Sequence, residues 1–261
     1  MVGGPSDVFD EAAAEYDQLG VEFFTPMGVA LAAAAGIRAG DRVLDVGCGR
    51  GAVLFPAARA AGPRGRVTGI DLAPAMVELT RADAAGLPQV EVAVGDAQAP
   101  DFPESSFDVV TAGLLLFFLP DPGAALRAYR KLLRPRGTLA FSTFAEFDPR
   151  HRASMQAVAR HAVDPPRQAA LSEIFQDAAR LRATVAEAGF DGTRAEELTV
   201  RSEFRDVEHY VAWIASHSGR DVLRRVPMEG RADLLAELAT ILPDPPELTT
   251  TIRLTVAHRP G

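Results

Sequence analysis

The chain reads as an α/β protein built on a doubly wound parallel sheet, and three observations predict that class. Short apolar runs alternate with helix-forming stretches through the first half of the sequence. Three successive runs close on an aspartate: Asp45, Asp71 and Asp96. The first run, Val43-Leu44-Asp45-Val46, passes directly into Gly47-Cys48-Gly49-Arg50-Gly51, the kind of glycine turn that leads a buried strand into a helix.

Taken in order, residues 8–18 and 22–36 read as two N-terminal helices, the second Ala-rich after Thr25-Pro26. Strands are predicted near 42–47, 66–71, 90–94, 107–112 and 137–144, with helices near 51–62, 74–84 and 121–133 between them. Asp121-Pro122 marks the last of these helices, an N-cap acceptor followed by proline at the first helical position. Two further helical stretches, 147–189 and 206–242, interrupt the second half. The segment from Thr249 to Val256 is strongly β-forming.

Composition narrows the function. With 261 residues and 48% hydrophobic content the chain suits one α/β domain with insertions. The net charge is −8, from 27 basic and 35 acidic residues, and no basic run occurs, which argues against a nucleic-acid partner. Residues Met1 to Asp7 lack the basic-then-apolar pattern of a signal peptide. The apolar run Leu114 to Leu119 is far too short to span a bilayer, so no membrane partner and a cytoplasmic location are expected. Cys48 is the only cysteine, which excludes an internal disulfide or a cysteine zinc cluster. Inside the glycine turn it reads as a small packing residue rather than a nucleophile. No Asp/Glu/His grouping resembles a metal site, and a metal is not implied.

The aspartates point to the ligand. A pyrophosphate over the glycine turn would be repelled by Asp45, two residues upstream of Gly47, whereas a cationic amino-acid group would be attracted. S-adenosylmethionine is such a ligand. Asp71 follows Gly47 by 24 residues, the place of a ribose-binding acid. At Gly95-Asp96-Ala97 a carboxylate stands ready for an adenine amino group and the Ala97 amide for a ring nitrogen. A single strand-end aspartate is commonly a cap or turn residue. Three in register after consecutive strands point to one ligand. The relaxed dinucleotide pattern Gly47-x-Gly49-x-x-Ala52 leaves a nicotinamide dehydrogenase as a rival, which Asp45 opposes.

On Val43 to Gly51, Gly69 to Pro74, Gly95 to Ala97, Phe107 to Pro122 and Leu133 to Phe144, the chain resembles the class I S-adenosylmethionine-dependent methyltransferases. It looks most like the quinone-biosynthesis-type and natural-product-tailoring small-molecule enzymes among them. The resemblance covers roughly residues 40–145. It implies a Rossmann-like, mostly parallel seven-stranded sheet whose last strand is antiparallel, with 192–203 and 249–258 as the two late strands. It also implies one methyltransferase domain over residues 1–261: N-terminal lid helices in 1–36, a cofactor core in 40–145, and a substrate lid from the inserts 147–189 and 206–242. Carried over by position, the cofactor contacts are Asp45, Gly47, Cys48, Gly49, Asp71, Leu72, Met76, Asp96, Ala97, Gly113 and Tyr16. S-adenosylhomocysteine is the implied product.

The acceptor side is less sharply marked, because a sulfonium methyl needs alignment, exclusion of water and at most one proton acceptor. Relatives often carry polar residues in the segment Ala112 to Pro120. Here it is wholly aliphatic and aromatic, which argues for an apolar or aromatic acceptor. The pattern Phe9-x-x-x-Ala13-x-x-Tyr16-Asp17 is common among relatives, where the tyrosine lies near the methionine part of the cofactor and favours the sulfonium. Phe23, Phe24, Phe117 and Trp213 are the substrate-binding candidates. Of the five histidines, His258 reads as solvent-exposed and His151 and His161 as surface residues. His209, Trp213 and His217 have helical spacing, so one face presents all three. His217 and Tyr16 are the catalytic candidates, His217 as the base; its alternative is a helix C-terminal histidine interacting with the dipole. The expected function is methyl transfer to a small, rather apolar organic molecule of secondary metabolism or quinone biosynthesis, with the methylated atom left open among oxygen, nitrogen and carbon. The alternative is a cofactor-binding protein, cyclase-type or a binding module, that never transfers the methyl group.

Overall fold

The structure is a computed structural model describing residues 5–165, 175, 177–217 and 219–261; the part of the first insert at 166–174 lies outside the described residues. Seven strands form one sheet in the order β3-β2-β1-β4-β5-β7-β6. They are β1 (Arg42–Val46), β2 (Arg66–Asp71), β3 (Val90–Val94), β4 (Phe107–Ala112), β5 (Leu133–Phe147), β6 (Asp191–Glu203) and β7 (Glu247–His258). The first five pair in parallel, and β7 runs antiparallel between β5 and β6. The strand order reverses beside β1, between β1 and β4, and the carboxyl ends of the strands there form the crevice where such sheets bind ligands.

The helices are α1 (Pro5–Ala12), α2 (Phe24–Ala34), α3 (Leu54–Ala61), α4 (Pro74–Asp83), α5 (Pro122–Leu132), α6 (Pro149–His161), α7 (Ala178–Glu187), α8 (Val207–Ala215), α9 (Arg220–Arg224) and α10 (Arg231–Ile241). Their starts follow from short-range chemistry. Asp121 accepts the Ala124 amide ahead of Pro122, and Asp206 accepts the His209 amide at the head of α8. One apolar layer joins α2, α3, α6, α8 and α10 to the sheet, and a second joins α5 and α7 to its other face. Val43 faces the first layer and Leu44 the second, both fully buried, which is why β1 reads as a continuous apolar run.

Three expectations change. The first helix ends at Ala12 rather than near 18, because the chain turns back through Asp17, which adopts a left-handed φ of 57°. β5 extends well past 137–144, since β7 pairs along it as far as Phe147. The inserts are several short helices, α6 and α7 in one and α8 to α10 in the other. α2 lies directly on the turn ahead of α3: a Cβ on Gly28 would sit 2.0 Å from the Ala52 carbonyl oxygen, so only glycine permits that approach.

Candidate active site

At the carboxyl edge, Asp45 is 1% exposed, and its Oδ1 accepts from the Thr111 hydroxyl of β4 at 2.7 Å. Its Oδ2 is buried without a hydrogen bond; the Leu54 amide approaches the carboxylate but does not close one. Burial pushes the Asp45 pKa up to about 7, against the Thr111 hydrogen bond. An unpaired buried acceptor costs about 1–3 kcal/mol, a penalty that an ammonium group from a ligand would relieve. The residue set therefore fits the amino end of S-adenosylmethionine.

Asp71 faces the glycine turn. Its Oδ2 accepts from the Gly49 amide at 2.8 Å and its Oδ1 from the Ala73 amide at 3.0 Å. Burial raises its pKa, with the Ala73 and Gly49 amides opposing. The carboxylate thus shapes the turn and keeps lone pairs for a diol. Asp96 is exposed beyond its hydrogen bond from the Gln98 amide, and the Ala97 carbonyl is pinned by the Tyr129 hydroxyl at 2.7 Å. Leu72, 53% exposed, offers an apolar side chain beside Asp71 for a flat base. Gly47 takes φ 64°, and a Cβ there would strike Leu115 at 2.6 Å. Cys48 is buried against Gly69, and burial pushes its thiol pKa well up, consistent with packing rather than nucleophilic use.

The N-terminal segment fastens onto this rim. Asp10 accepts the Ala75 amide at the start of α4, and Arg50 donates to the Ala13 carbonyl while pairing with Asp83 at 2.7 Å. Met76 is buried in the α4 cluster with Ala13 and Ala73, against which Tyr16 packs. Burial keeps the Tyr16 phenol protonated well above the ordinary range, with Asp17 and then Asp71 adding to the shift. Burial also raises Asp17 to about 6.

From Tyr16 a run of aromatic rings leads into a second, largely buried aromatic cluster. Tyr16 meets Phe24 at 4.6 Å, Phe24 meets His217 at 5.8 Å, and His217 meets Trp213 at 4.5 Å. Phe23 lies 5.5 Å from Trp213 and 6.4 Å from Phe144, which contacts Phe117 at 5.3 Å and Phe147 at 4.4 Å. His151 closes the ring, 5.6 Å from Phe147 and 6.5 Å from Trp213. Burial lowers both histidines to about 4, so both rings are neutral at pH 7. The Nδ1 of His217 is buried without a hydrogen bond.

Phe23, Phe24, Phe117, Trp213, Tyr16 and His217, singled out in sequence, thus come together, while Gly113 packs on Val53 at the end of β4. His209 does not join them. Its Nδ1 accepts from the Arg205 amide at 3.1 Å and its Nε2 donates to the Leu19 carbonyl at 3.0 Å, so it ties the N-terminal loop to α8. The single-face expectation fails because α8 ends at Ala215 and His217 lies past it. His151 is not a surface residue, since the first turn of α6 packs beside α8 and Tyr210 reaches its Nδ1 at 3.0 Å. His161 is partly exposed, its Nε2 2.9 Å from a Glu237 carboxylate oxygen, whereas His258 is half-buried beside Thr138. Sequence reasoning missed Arg50 and the pairing of His151 with Tyr210. Arg50 stood inside the glycine motif, while that pair carried no spacing signal. Among the described residues no group of three His, Cys, Asp or Glu side chains is placed to hold a metal ion, and no helix is long and apolar enough to cross a membrane.

The chain is similar to known proteins in sequence and in fold. Residues 43–137 match the family described as Methyltransferase domain. The chain is 40% identical over 248 residues to nocamycin O-methyltransferase of Saccharothrix syringae, covering 88% of each. It is 47% identical over 140 residues to aklanonic acid methyltransferase DauC of Streptomyces sp. (strain C5), a match spanning 53% of this chain and 64% of that relative's length. In fold it is similar to the YcgJ protein of Bacillus subtilis, with a TM-score of 0.60 at 16% identity over 90% of this chain and 98% of that one. With its three strand-end aspartates and a likeness to a named methyltransferase over 88% of each chain, the chain belongs to the class I S-adenosylmethionine-dependent methyltransferases.

Proposed function

We propose that the protein methylates an oxygen of a small, largely apolar aromatic molecule of secondary metabolism, seated among Phe23, Phe24, Phe117, Phe144 and Trp213. The observation that carries the reading is the buried, unpaired Oδ2 of Asp45 at the carboxyl edge, from which Tyr16 and Phe24 lead into the aromatic cluster, read here as the acceptor chamber. When bound, S-adenosylmethionine supplies an electrophilic methyl group. Asp45 holds its ammonium, Asp71 its ribose, and Asp96 with the Ala97 amide its adenine, while Leu72 and Met76 flank it and Tyr16 covers the methionine part. His217, neutral at pH 7, takes the proton of the acceptor hydroxyl. A weak base of this kind suits an acidic hydroxyl such as a phenol or enol. The aromatic walls exclude water and align the acceptor. The choice of oxygen, and of secondary metabolism, is supported by the likeness to nocamycin O-methyltransferase. An acidic chain of net charge −8 suits a cytoplasmic enzyme acting on small molecules rather than on nucleic acid.

The test is direct. The protein is incubated with S-adenosylmethionine and a panel of phenolic and enolic acceptors, and S-adenosylhomocysteine is followed by mass spectrometry. Both sulfur ligands should raise the thermal midpoint and NAD should not, since a ligand bound only to the native state stabilises it by mass action. A shift with NAD alone, or cofactor binding without turnover on any acceptor, would sink the reading.

A further inference from the structure

His151 has no part in the roles above, yet its surroundings define its chemistry. It opens α6, and its Nδ1 lies 3.0 Å from the hydroxyl of Tyr210, a side chain with no exposed surface. A buried phenol must find an acceptor for its proton. The other polar neighbour, the buried Ser154 hydroxyl, acts on the phenol oxygen as a donor and lowers the Tyr210 pKa, so the phenol's own proton is assigned to His151 Nδ1. The imidazole is neutral, its pKa held near 4 chiefly by burial, and its one ring proton therefore sits on Nε2. No described protein group receives that proton.

We propose that the Nε2–H of His151 is a second polar contact for the methyl acceptor, donating to a carbonyl oxygen, with Tyr210 as the positioning residue that fixes the tautomer. The proposal rests on the chamber being the acceptor site. It narrows the acceptor class to an aromatic skeleton with two oxygens: a hydroxyl beside His217 and a separate ketone beside His151. Both imidazoles border the same indole, Trp213, and on this proposal one planar acceptor lying against Trp213 reaches both. A chamber otherwise walled by phenylalanines gives such a contact high weight, because a donor left unpaired in an apolar site disfavours molecules that lack the matching acceptor.

Trp213 is the only tryptophan, so its fluorescence reports on the chamber. The probes are a hydroxytetralone and the tetrahydronaphthol that lacks its ketone, titrated into protein saturated with S-adenosylhomocysteine. Mildly acidic buffer keeps both phenols un-ionised. The ketone should bind about three- to tenfold more tightly, the range of one net hydrogen bond. His151→Phe should abolish that ratio while holding the tetrahydronaphthol within about twofold, His151→Gln should restore part of it, and Tyr210→Phe should reduce it. Calorimetric binding of S-adenosylhomocysteine establishes that each variant is folded. Equal binding of the two probes to the wild type, or an unchanged ratio in His151→Phe, overturns the role of His151 and leaves the chamber intact. Failure of both probes to quench Trp213 while S-adenosylhomocysteine binds overturns the proposal together with the assignment of the chamber. Failure of S-adenosylhomocysteine itself to bind removes the methyltransferase reading first.

Discussion

The proposed cofactor cleft and the proposed acceptor chamber meet at Tyr16 but are made in different ways. In the cleft, short-reach polar contacts dominate: Asp71 to the Gly49 amide across 22 residues, Thr111 to Asp45 across 66. Backbone amides and carboxylates at strand ends fix the directions of recognition, and few exchanges are tolerated. In the chamber, rings from the loop before α2, the end of β5, α6 and α8 simply fill space. Apolar packing accepts volume-conserving exchange. On the proposed reading, one half is held to a single ligand while the other is free to change acceptor without disturbing it.

Mutations can break that division. His217→Ala should lower kcat by about a hundredfold, the usual worth of a general base, with cofactor affinity unchanged. Steady-state kinetics would show it, and the wild-type acid limb should fall as pH drops through about 4 rather than near the ordinary histidine value. A loss confined to cofactor binding would erase the boundary between the halves. Next in size, Asp71→Ala should weaken S-adenosylmethionine binding by roughly ten- to a hundredfold in calorimetry, since each charge-assisted hydrogen bond is worth about 1.5–3 kcal/mol. Unchanged affinity in a folded variant would take Asp71 out of the cleft.

The third test uses pH. Because Asp45 is raised to about 7 in the folded protein, its protonated form favours the unliganded fold below the ordinary carboxylate range, and that contribution is lost as pH rises through 7. Cofactor affinity should move the other way, increasing as the carboxylate ionises and standing about tenfold lower at pH 6 than on its plateau. Binding near pH 6 should release a proton, visible as a buffer-dependent calorimetric enthalpy, and Asp45→Asn should abolish it. A flat pH profile would mean that Oδ2 does not hold the ammonium. The smallest effect belongs to the outer fastening of α1 to α9, where Glu11 pairs with Arg224 and both are half-exposed. Arg224→Ala should change the acceptor KM by about twofold or less; a larger change would make the outer rim part of the chamber.

What was legible in the sequence follows the same line. β1 to β4 and their aspartates lie in local apolar runs, and the structure reproduces β2 to β4 to the residue. β5 read too short because its extension depends on pairing Glu146 with Thr251 of β7, a contact no local window contains. The candidate cofactor residues could be named because strand ends and glycine turns are backbone features. His209 misled because its partner, the Leu19 carbonyl, lies 190 residues away. His151 and Tyr210, 59 residues apart in separate inserts, form a pair that helical or strand periodicity cannot announce.

Among the described residues β6 has one neighbour in the sheet, β7, and the helices α8 to α10 are translated between them. As the chain leaves the ribosome, β1 to β5 can pair and the cofactor half can mature while β6 still waits for its only partner. During that interval both of its edges are bare, and even afterwards one stays so. Arg194, Glu196, Glu197, Arg201 and Glu203 stud this strand with charge. That patterning makes it a poor template for a neighbouring nascent chain, a safeguard for a half-made enzyme rather than a part of its chemistry.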